Sequence, residues 1–430
     1  MSNERSGFSS RLGFVLATAG SAVGLGNIWR FPYLAAKYGG GTFLLTYLIL
    51  TLTFGFSLMI TEVALGRKAG TSAIRAFGHF SKKHTFIGYL TTIIPFIIFP
   101  YYCVIGGWVT KYALISLQGG IHNAASDTFF TGFISKSAEP MICVLVFLIA
   151  TTVVVAGGVK GGVERVSTIM MPVLIVLLIG VSLFCITRPG AMAGVAYYLK
   201  PSLKGFGPTT ILAALGQLFY SMSLAMGIMI TFGSYMPKKA DLEKSVTQVE
   251  IFDTGVAFLA GLMIVPAVFV FSNGDSSMLA KGPSLMFVML PKVFNSMAFS
   301  SVIAAVFFIL VLLAALTSSI SLLETLVAVL MDKFHMKRGT ACITMFIIAL
   351  LLAVPSSLGF GAWSNITILG FDFLDFFDFI SNSVLMPIAA FLTCLFVGYI
   401  IKPKVIVDEV ESSGEFKRKS LFFIMVKYIA

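Results

Sequence analysis

The 430-residue chain is 57% hydrophobic and only 11% charged, with a mean hydropathy of +0.96 and a formal net charge of +11. A soluble domain carries about a quarter of its residues as charged side chains, so water is excluded as the main solvent. Apolar stretches of about 20 residues recur, each long enough for a hydrocarbon core of about 30 Å, whereas a β-barrel would need alternating segments of about 10.

In chain order, the predicted spans are 12–36, 42–66, 86–117, 140–157, 166–187, 209–235, 249–271, 300–331, 339–355 and 372–401. The basic residues sit in the short loops between them, which is the positive-inside pattern rather than a nucleic-acid surface. With the N-terminus in the cytoplasm, the inner segments hold Arg5, Arg11, Arg67, Lys68, Arg75, Lys82, Lys83, Lys160, Arg165, Lys238, Lys239, Lys244, Lys333, Lys337, Arg338 and the basic tail. That is about 21 of the basic residues, well above an even split. A last segment, 420–430, begins apolar and stops after about two turns, too short to span; the chain ends there, or an eleventh helix is cut off. Two outer loops are long, 118–139 and 272–299. The second contains an apolar run, Ser284 to Leu290 between Pro283 and Pro291, which reads either as a short surface helix over an external opening or as a plain connector.

Two spans carry helix-weakening residues at mid-depth. The first holds Ala19-Gly20-Ser21-Ala22-Val23-Gly24-Leu25-Gly26-Asn27, and the sixth holds Gly216-Gln217-Leu218-Phe219-Tyr220-Ser221-Met222-Ser223-Leu224-Ala225-Met226-Gly227. Each glycine costs about 1 kcal/mol in a helix. Spans 1 and 6 begin two five-helix halves, and paired interruptions at corresponding places point to a midplane site in a transporter built from inverted repeats. An unwound turn frees carbonyls for a cation and N–H groups for a carboxylate. Close helix packing through glycine is the competing explanation.

The five cysteines (Cys103, Cys143, Cys185, Cys342, Cys394) lie in apolar runs without metal-ligand spacing and read as packing residues. The four histidines (His79, His84, His122, His335) fall in loops or at helix ends and pair with no Ser, Cys or carboxylate cluster, so catalysis has little support.

The strings Arg11-Leu12-Gly13, Ala22-Val23-Gly24-Leu25-Gly26-Asn27-Ile28-Trp29-Arg30-Phe31-Pro32-Tyr33 and Gly39-Gly40-Gly41 resemble the neurotransmitter:sodium symporter family, as do Gly216-Gln217 and Leu316-Thr317-Ser318-Ser319-Ile320. The resemblance covers essentially the whole chain and looks like the bacterial amino-acid branch. It implies an all-α membrane protein of the LeuT-type fold. That fold is a 5+5 inverted repeat with helices 1 and 6 broken, here ten full spans plus a partial or truncated eleventh. The halves are 1–187 and 209–401, followed by a tail, 402–430. It further implies sodium-coupled uptake by alternating access, in a bacterial inner membrane with the N-terminus cytoplasmic. The expected partners are an amino acid, two sodium ions and the bilayer, with no nucleic acid.

Carried over residue by residue, one sodium site looks like Ala22, Asn27, Ser221 and, on span 7, Asp253. The other looks like Gly20, Val23, Ala314, Thr317 and Ser318. These are hard oxygen donors suited to a hard cation. Some family members use chloride beside the first sodium; a fixed carboxylate at Asp253 would supply that negative charge, so no chloride is expected. A solvated Asp near a helix end is the plainer alternative. The substrate pocket implied by the resemblance comprises Ala22, Gly24, Leu25, Gly26, Tyr102, Tyr220, Ser221, Ser223, Met226, Ser318 and Leu322. Monoamine carriers of the family place Asp where this chain has Gly24, which argues for a substrate bringing its own carboxylate. The apolar far end, with Met226 and Leu322, suits a hydrophobic or aromatic side chain, tyrosine or tryptophan before leucine.

By the same resemblance, Arg30 and Asp378 close the outer path above Tyr102 and Tyr220, with Gln217 steadying Arg30. Arg5 and Asp332 form the inner pair beside Tyr235, and Phe8 stands where the family often has Trp. Asp372 and Asp375 share a stripe with Asp378 and serve equally as helix-start residues. Glu62 and Glu324 lie within spans and are expected to be buried and paired. A channel or a non-transporting sensor on the same fold are the rival functions.

Overall fold

A computed structural model describes residues 7–202, 206–272 and 284–429. Arg5 and Pro283 lie outside the described residues. No strand occurs among those described, beyond one isolated bridge between Ile368 and Phe371.

Among the described residues, eight helices are long and apolar enough to cross a membrane: Gly41–Ala69, Lys82–Leu117, Ala138–Ala156, Val159–Ile186, Leu242–Phe271, Ser300–Phe334, Arg338–Leu358 and Phe373–Ile400. Their ends follow local chemistry. Asp241 and Asp372 cap the helices that follow them by accepting the N–H groups of Lys244 and Asp375, at 2.9 and 2.8 Å. Gly70, at φ +64°, closes Gly41–Ala69 in the left-handed conformation that helix C-termini favour.

The outward faces would be unusual in water. Ile142, Val146, Ile149 and Val153 are exposed at helical spacing on one helix, and Ile169, Val173, Val176 and Leu183 on the next. Such stripes are what a hydrocarbon solvent accepts. The inner faces of Lys82–Leu117 and Ser300–Phe334 are instead closely packed, with Phe99, Tyr101, Cys103, Phe307, Ala314 and Leu323 all buried.

Two predicted spans are divided. Residues 11–37 form Arg11–Ala22 and Gly26–Lys37, whose axes differ by 52°. Residues 208–235 form Pro208–Ser221 and Ile228–Tyr235. Between these, Ser223, Ala225 and Gly227 take φ of 52°, 62° and 72°. Left-handed conformations cost an L-residue about 1–2 kcal/mol each, so the surroundings must hold this stretch open. The run after Ser284 is helical, Leu285–Asn295. It is a packed element rather than a surface one: Leu285, Phe287, Leu290 and Phe294 are buried, and the Tyr112 hydroxyl donates to the Phe287 carbonyl at 2.7 Å.

Candidate functional site

The two interruptions face one another across a small cavity of about 30 Å³. Of the predicted pocket residues, Ala22, Gly24, Leu25, Gly26, Tyr102, Tyr220, Ser223, Met226, Ser318 and Leu322 line it. The Ser221 side chain points away and donates to Asp253 instead. Ser21, Ile98 and Ile228 also line the cavity. Ser21 stood inside the first broken string, but nothing in the sequence marked Ile98 or Ile228 out from other apolar residues.

Close approach of chain to chain makes the site. A Cβ at Gly24 would fall 2.4 Å from Ser318 Oγ and 3.2 Å from Tyr102 Oη; one at Gly26 would fall 2.6 Å from the Tyr220 ring. Only glycine leaves room at both positions. At one end of the cavity, Tyr102 Oη lies 3.5 Å from the Leu25 N–H, beside the start of helix 26–37. Backbone N–H groups and a hydroxyl at a helix N-terminus form an anion-accepting end. At the other end, Ile98, Met226, Ile228 and Leu322 are apolar. The Ser21 and Ser223 hydroxyls bond one another at 3.1 Å.

Two clusters of oxygen adjoin the cavity. In the first, the buried Asp253 carboxylate accepts from Asn27 Nδ2 at 2.7 Å, the Ser221 hydroxyl at 2.8 Å and the Tyr47 hydroxyl at 3.0 Å. Asp253 is therefore neither solvated nor at a helix end. All three donors are neutral, and no Lys or Arg pairs with it among the described residues. An ionised carboxylate so far from water calls for a cation. Tyr47 was not foreseen, because its helix carries no motif.

In the second cluster, Ser318 Oγ lies 3.4, 3.1 and 3.3 Å from the carbonyls of Gly20, Ser21 and Val23. Thr317 Oγ1 lies 3.1 Å from the Ala314 carbonyl. One hydroxyl has one proton, so Ser318 can satisfy only one of its three carbonyls at a time. The Ser223 hydroxyl donates to the Ser21 carbonyl at 3.0 Å, which leaves the Gly20 and Val23 carbonyls sharing one hydroxyl, an excess of oxygen that suits a small hard cation. Gly20, Val23, Ala314, Thr317 and Ser318 are brought together as expected from the sequence.

A model of the sodium:neurotransmitter symporter family matches residues 5–132 and 129–430. The chain belongs to this family. The symporter-family relatives include the sodium-dependent transporter YhdH of Bacillus subtilis, 35% identical over 97% of this chain and 92% of that protein. A sodium-dependent transporter of Haemophilus influenzae is 34% identical, over 99% of this chain and 96% of its own. The crystal structure of MhsT in complex with L-phenylalanine superposes with a TM-score of 0.90 and 38% identity, covering 99% of this chain and 97% of that one. A symporter-family protein is a multi-pass membrane transporter and not an enzyme.

The gate residues take these positions. The Arg30 guanidinium lies over the Tyr220 ring, 5.1 Å from its centroid, and Nη1 is buried without a hydrogen-bond partner. Asp378 accepts from Tyr101 Oη at 3.2 Å and from Asn382 Nδ2 at 2.5 Å. No ion pair joins Arg30 to Asp378 among the described residues. Gln217 spends its amide on the Gly26 carbonyl, at 3.0 Å, so it steadies the first break rather than Arg30 itself.

At the opposite end, Phe8 is buried edge-on to Phe14, Phe232 and Tyr235, and its N–H donates to the Tyr235 carbonyl. Tyr235 Oη donates to Glu324, which also receives both terminal nitrogens of Arg338. Asp332 accepts the Ser72 N–H at 2.7 Å. Glu62 accepts the Ala225 N–H at 2.8 Å.

Proposed function

We propose that this symporter-family protein carries a hydrophobic or aromatic amino acid together with two sodium ions, by alternating access and without chloride. The observation that carries the proposal is two opposite sets of polar groups around one cavity: the Leu25 N–H and Tyr102 hydroxyl at the start of helix 26–37, and beside them carbonyls that share one hydroxyl and a carboxylate with no cationic partner among the described residues. A zwitterion and sodium ions complete both. As cargo, one sodium takes Ala22, Asn27, Ser221 and Asp253; the other takes Gly20, Val23, Ala314, Thr317 and Ser318.

The substrate carboxylate sits at Leu25, Gly26 and Tyr102, with its ammonium toward carbonyls of Ala22 and the second break. Its side chain reaches Met226 and Leu322, where no charge is present to suit an acidic or basic substrate. MhsT was crystallised with L-phenylalanine, which agrees with that apolar end. Asp253 supplies the fixed negative charge that chloride would bring.

The proposed architecture is ten spans in two inverted halves, 1–187 and 209–401, with spans 1 and 6 broken and 402–430 as a tail. The N-terminus lies in the cytoplasm of a bacterial inner membrane. Arg30 and Asp378 close the outer path, with Tyr220 between them as the lid. Phe8, Tyr235, Asp332 and Arg5 close the inner one.

A thermal-shift screen of the twenty amino acids, in sodium against potassium, tests this directly, because a ligand of the native state raises the melting point by mass action. Aromatic or large aliphatic amino acids raise it, and more so in sodium. Equal shifts in potassium, or a response to charged amino acids alone, would overturn the assignment. Counterflow of labelled substrate in proteoliposomes separates a carrier from a binding-only sensor.

A further inference from the structure

A second, cationic groove lies apart from the transport cavity, where helix 73–80 packs beside the start of helix 82–117 and the end of helix 300–334. The short helix buries Ala73, Ile74, Ala76 and Phe77 and leaves Arg75 and His79 outward. Arg75, His79, Thr71, Tyr89 and Lys333 line the groove. Lys333 reaches across to Tyr89, donating to its hydroxyl at 2.5 Å with the ammonium 5.1 Å from the ring centroid. This holds one positive charge in place. The Arg75 guanidinium makes no ion pair or side-chain hydrogen bond among the described residues, and it is exposed.

Thr71 Oγ1 is buried in the lining with no hydrogen-bond partner. A buried hydroxyl left so costs about 1–3 kcal/mol, and an oxyanion would satisfy it. No carboxylate lines the groove. The sequence holds no Asp or Glu between Glu62 and Asp127, although it holds Lys82 and Lys83 close by. The neighbouring Asp332 is engaged by the Ser72 N–H.

The groove also opens onto an apolar stripe. Phe86, Tyr89 and Ile93 follow one another at helical spacing on helix 82–117 and are 52%, 46% and 47% exposed. Phe334 is exposed beside Lys333. A phosphate in the groove would therefore have acyl chains along a hydrocarbon-facing surface. A soluble phosphate would gain nothing from that stripe, and a choline headgroup would bring an ammonium against Arg75 and Lys333.

We propose that this groove binds the phosphate diester of an anionic phospholipid, with Arg75 and Lys333 pairing its charge and Thr71 donating to a phosphate oxygen. Purified full-length protein in detergent is titrated with dioleoyl phosphatidylglycerol, dioleoyl phosphatidylcholine or inorganic phosphate, and bound molecules are counted by native mass spectrometry. One phosphatidylglycerol binds in preference to phosphatidylcholine. The Arg75→Gln/Lys333→Gln double variant binds it about tenfold more weakly or worse, while a charge-matched Lys160→Gln/Lys200→Gln control binds as wild type. Thr71→Val, which alters no charge, weakens binding several-fold and guards against misfolding of the double variant. Undiminished binding in both the double variant and Thr71→Val, or equal binding of phosphatidylcholine, overturns the proposal. So does retention of inorganic phosphate in place of the lipid, which would make the groove a site for a soluble anion.

Discussion

Glu62 Oε1 accepts the N–H of Ala225 at 2.8 Å, so the middle of one unbroken helix holds open the interruption between 221 and 228. Ala225 has φ +62° and cannot hydrogen-bond as a helix residue there.

Removing the acceptor leaves a buried N–H unpaired at a cost of about 1–3 kcal/mol. Glu62→Ala is therefore expected to weaken amino-acid binding about tenfold or more, measured by thermal shift or equilibrium dialysis. Glu62→Gln keeps an acceptor oxygen and is expected to recover a large part of the loss. Equal affinities in wild type and Glu62→Ala would show that the break stands without this bond.

Asp253 bears on ion coupling. Exchanging its carboxylate for a neutral group leaves the first cation cluster without negative charge. Asp253→Asn and Asp253→Ser are expected to lose uptake in chloride-free medium and regain part of it with chloride. Uptake in proteoliposomes with gluconate against chloride reads this out. Full sodium-driven uptake by Asp253→Ala would refute the role.

Gly24 has no space for a methyl group, since its Cβ would lie 2.4 Å from Ser318 Oγ. Ser318 is the hydroxyl shared among the Gly20, Ser21 and Val23 carbonyls. Overpacking of this kind costs about 1–3 kcal/mol. Gly24→Ala is expected to reduce both sodium and amino-acid affinity about tenfold or more with the protein still folded. Sodium titrations at fixed substrate are the check, and a loss of amino-acid affinity without any change in sodium dependence would contradict it.

Met226 lies at the apolar end of the cavity and is flexible enough to move aside for a ring. Met226→Phe fills that volume with a stiff side chain. Its thermal response to tryptophan is expected to fall much more than its response to leucine. An unchanged order of preference would place the substrate side chain elsewhere.

Composition and period alone established a membrane protein of apolar helices, because burying some twenty residues in hydrocarbon leaves no other pattern available. The strings at 19–27 and 216–227 contain the stretches between Arg11–Ala22 and Gly26–Lys37 and between Pro208–Ser221 and Ile228–Tyr235, because local helix weakness is written locally. The hydroxyls at 317 and 318 were marked out only by the family resemblance, since within a helix they read equally as packing residues.

Tertiary structure decided what lies across from those strings. It set Tyr47 on Asp253, Ile98 and Ile228 in the cavity wall, and Gln217 on the Gly26 carbonyl. It also gave Arg30 the Tyr220 ring and gave Asp378 to Tyr101 and Asn382. Apart from the Asp378–Asn382 bond, which lies within one helix, each of these contacts joins helices far apart in the chain. No period or spacing encodes them, since a hydrogen bond or a packed ring depends on how whole helices rotate and settle against one another.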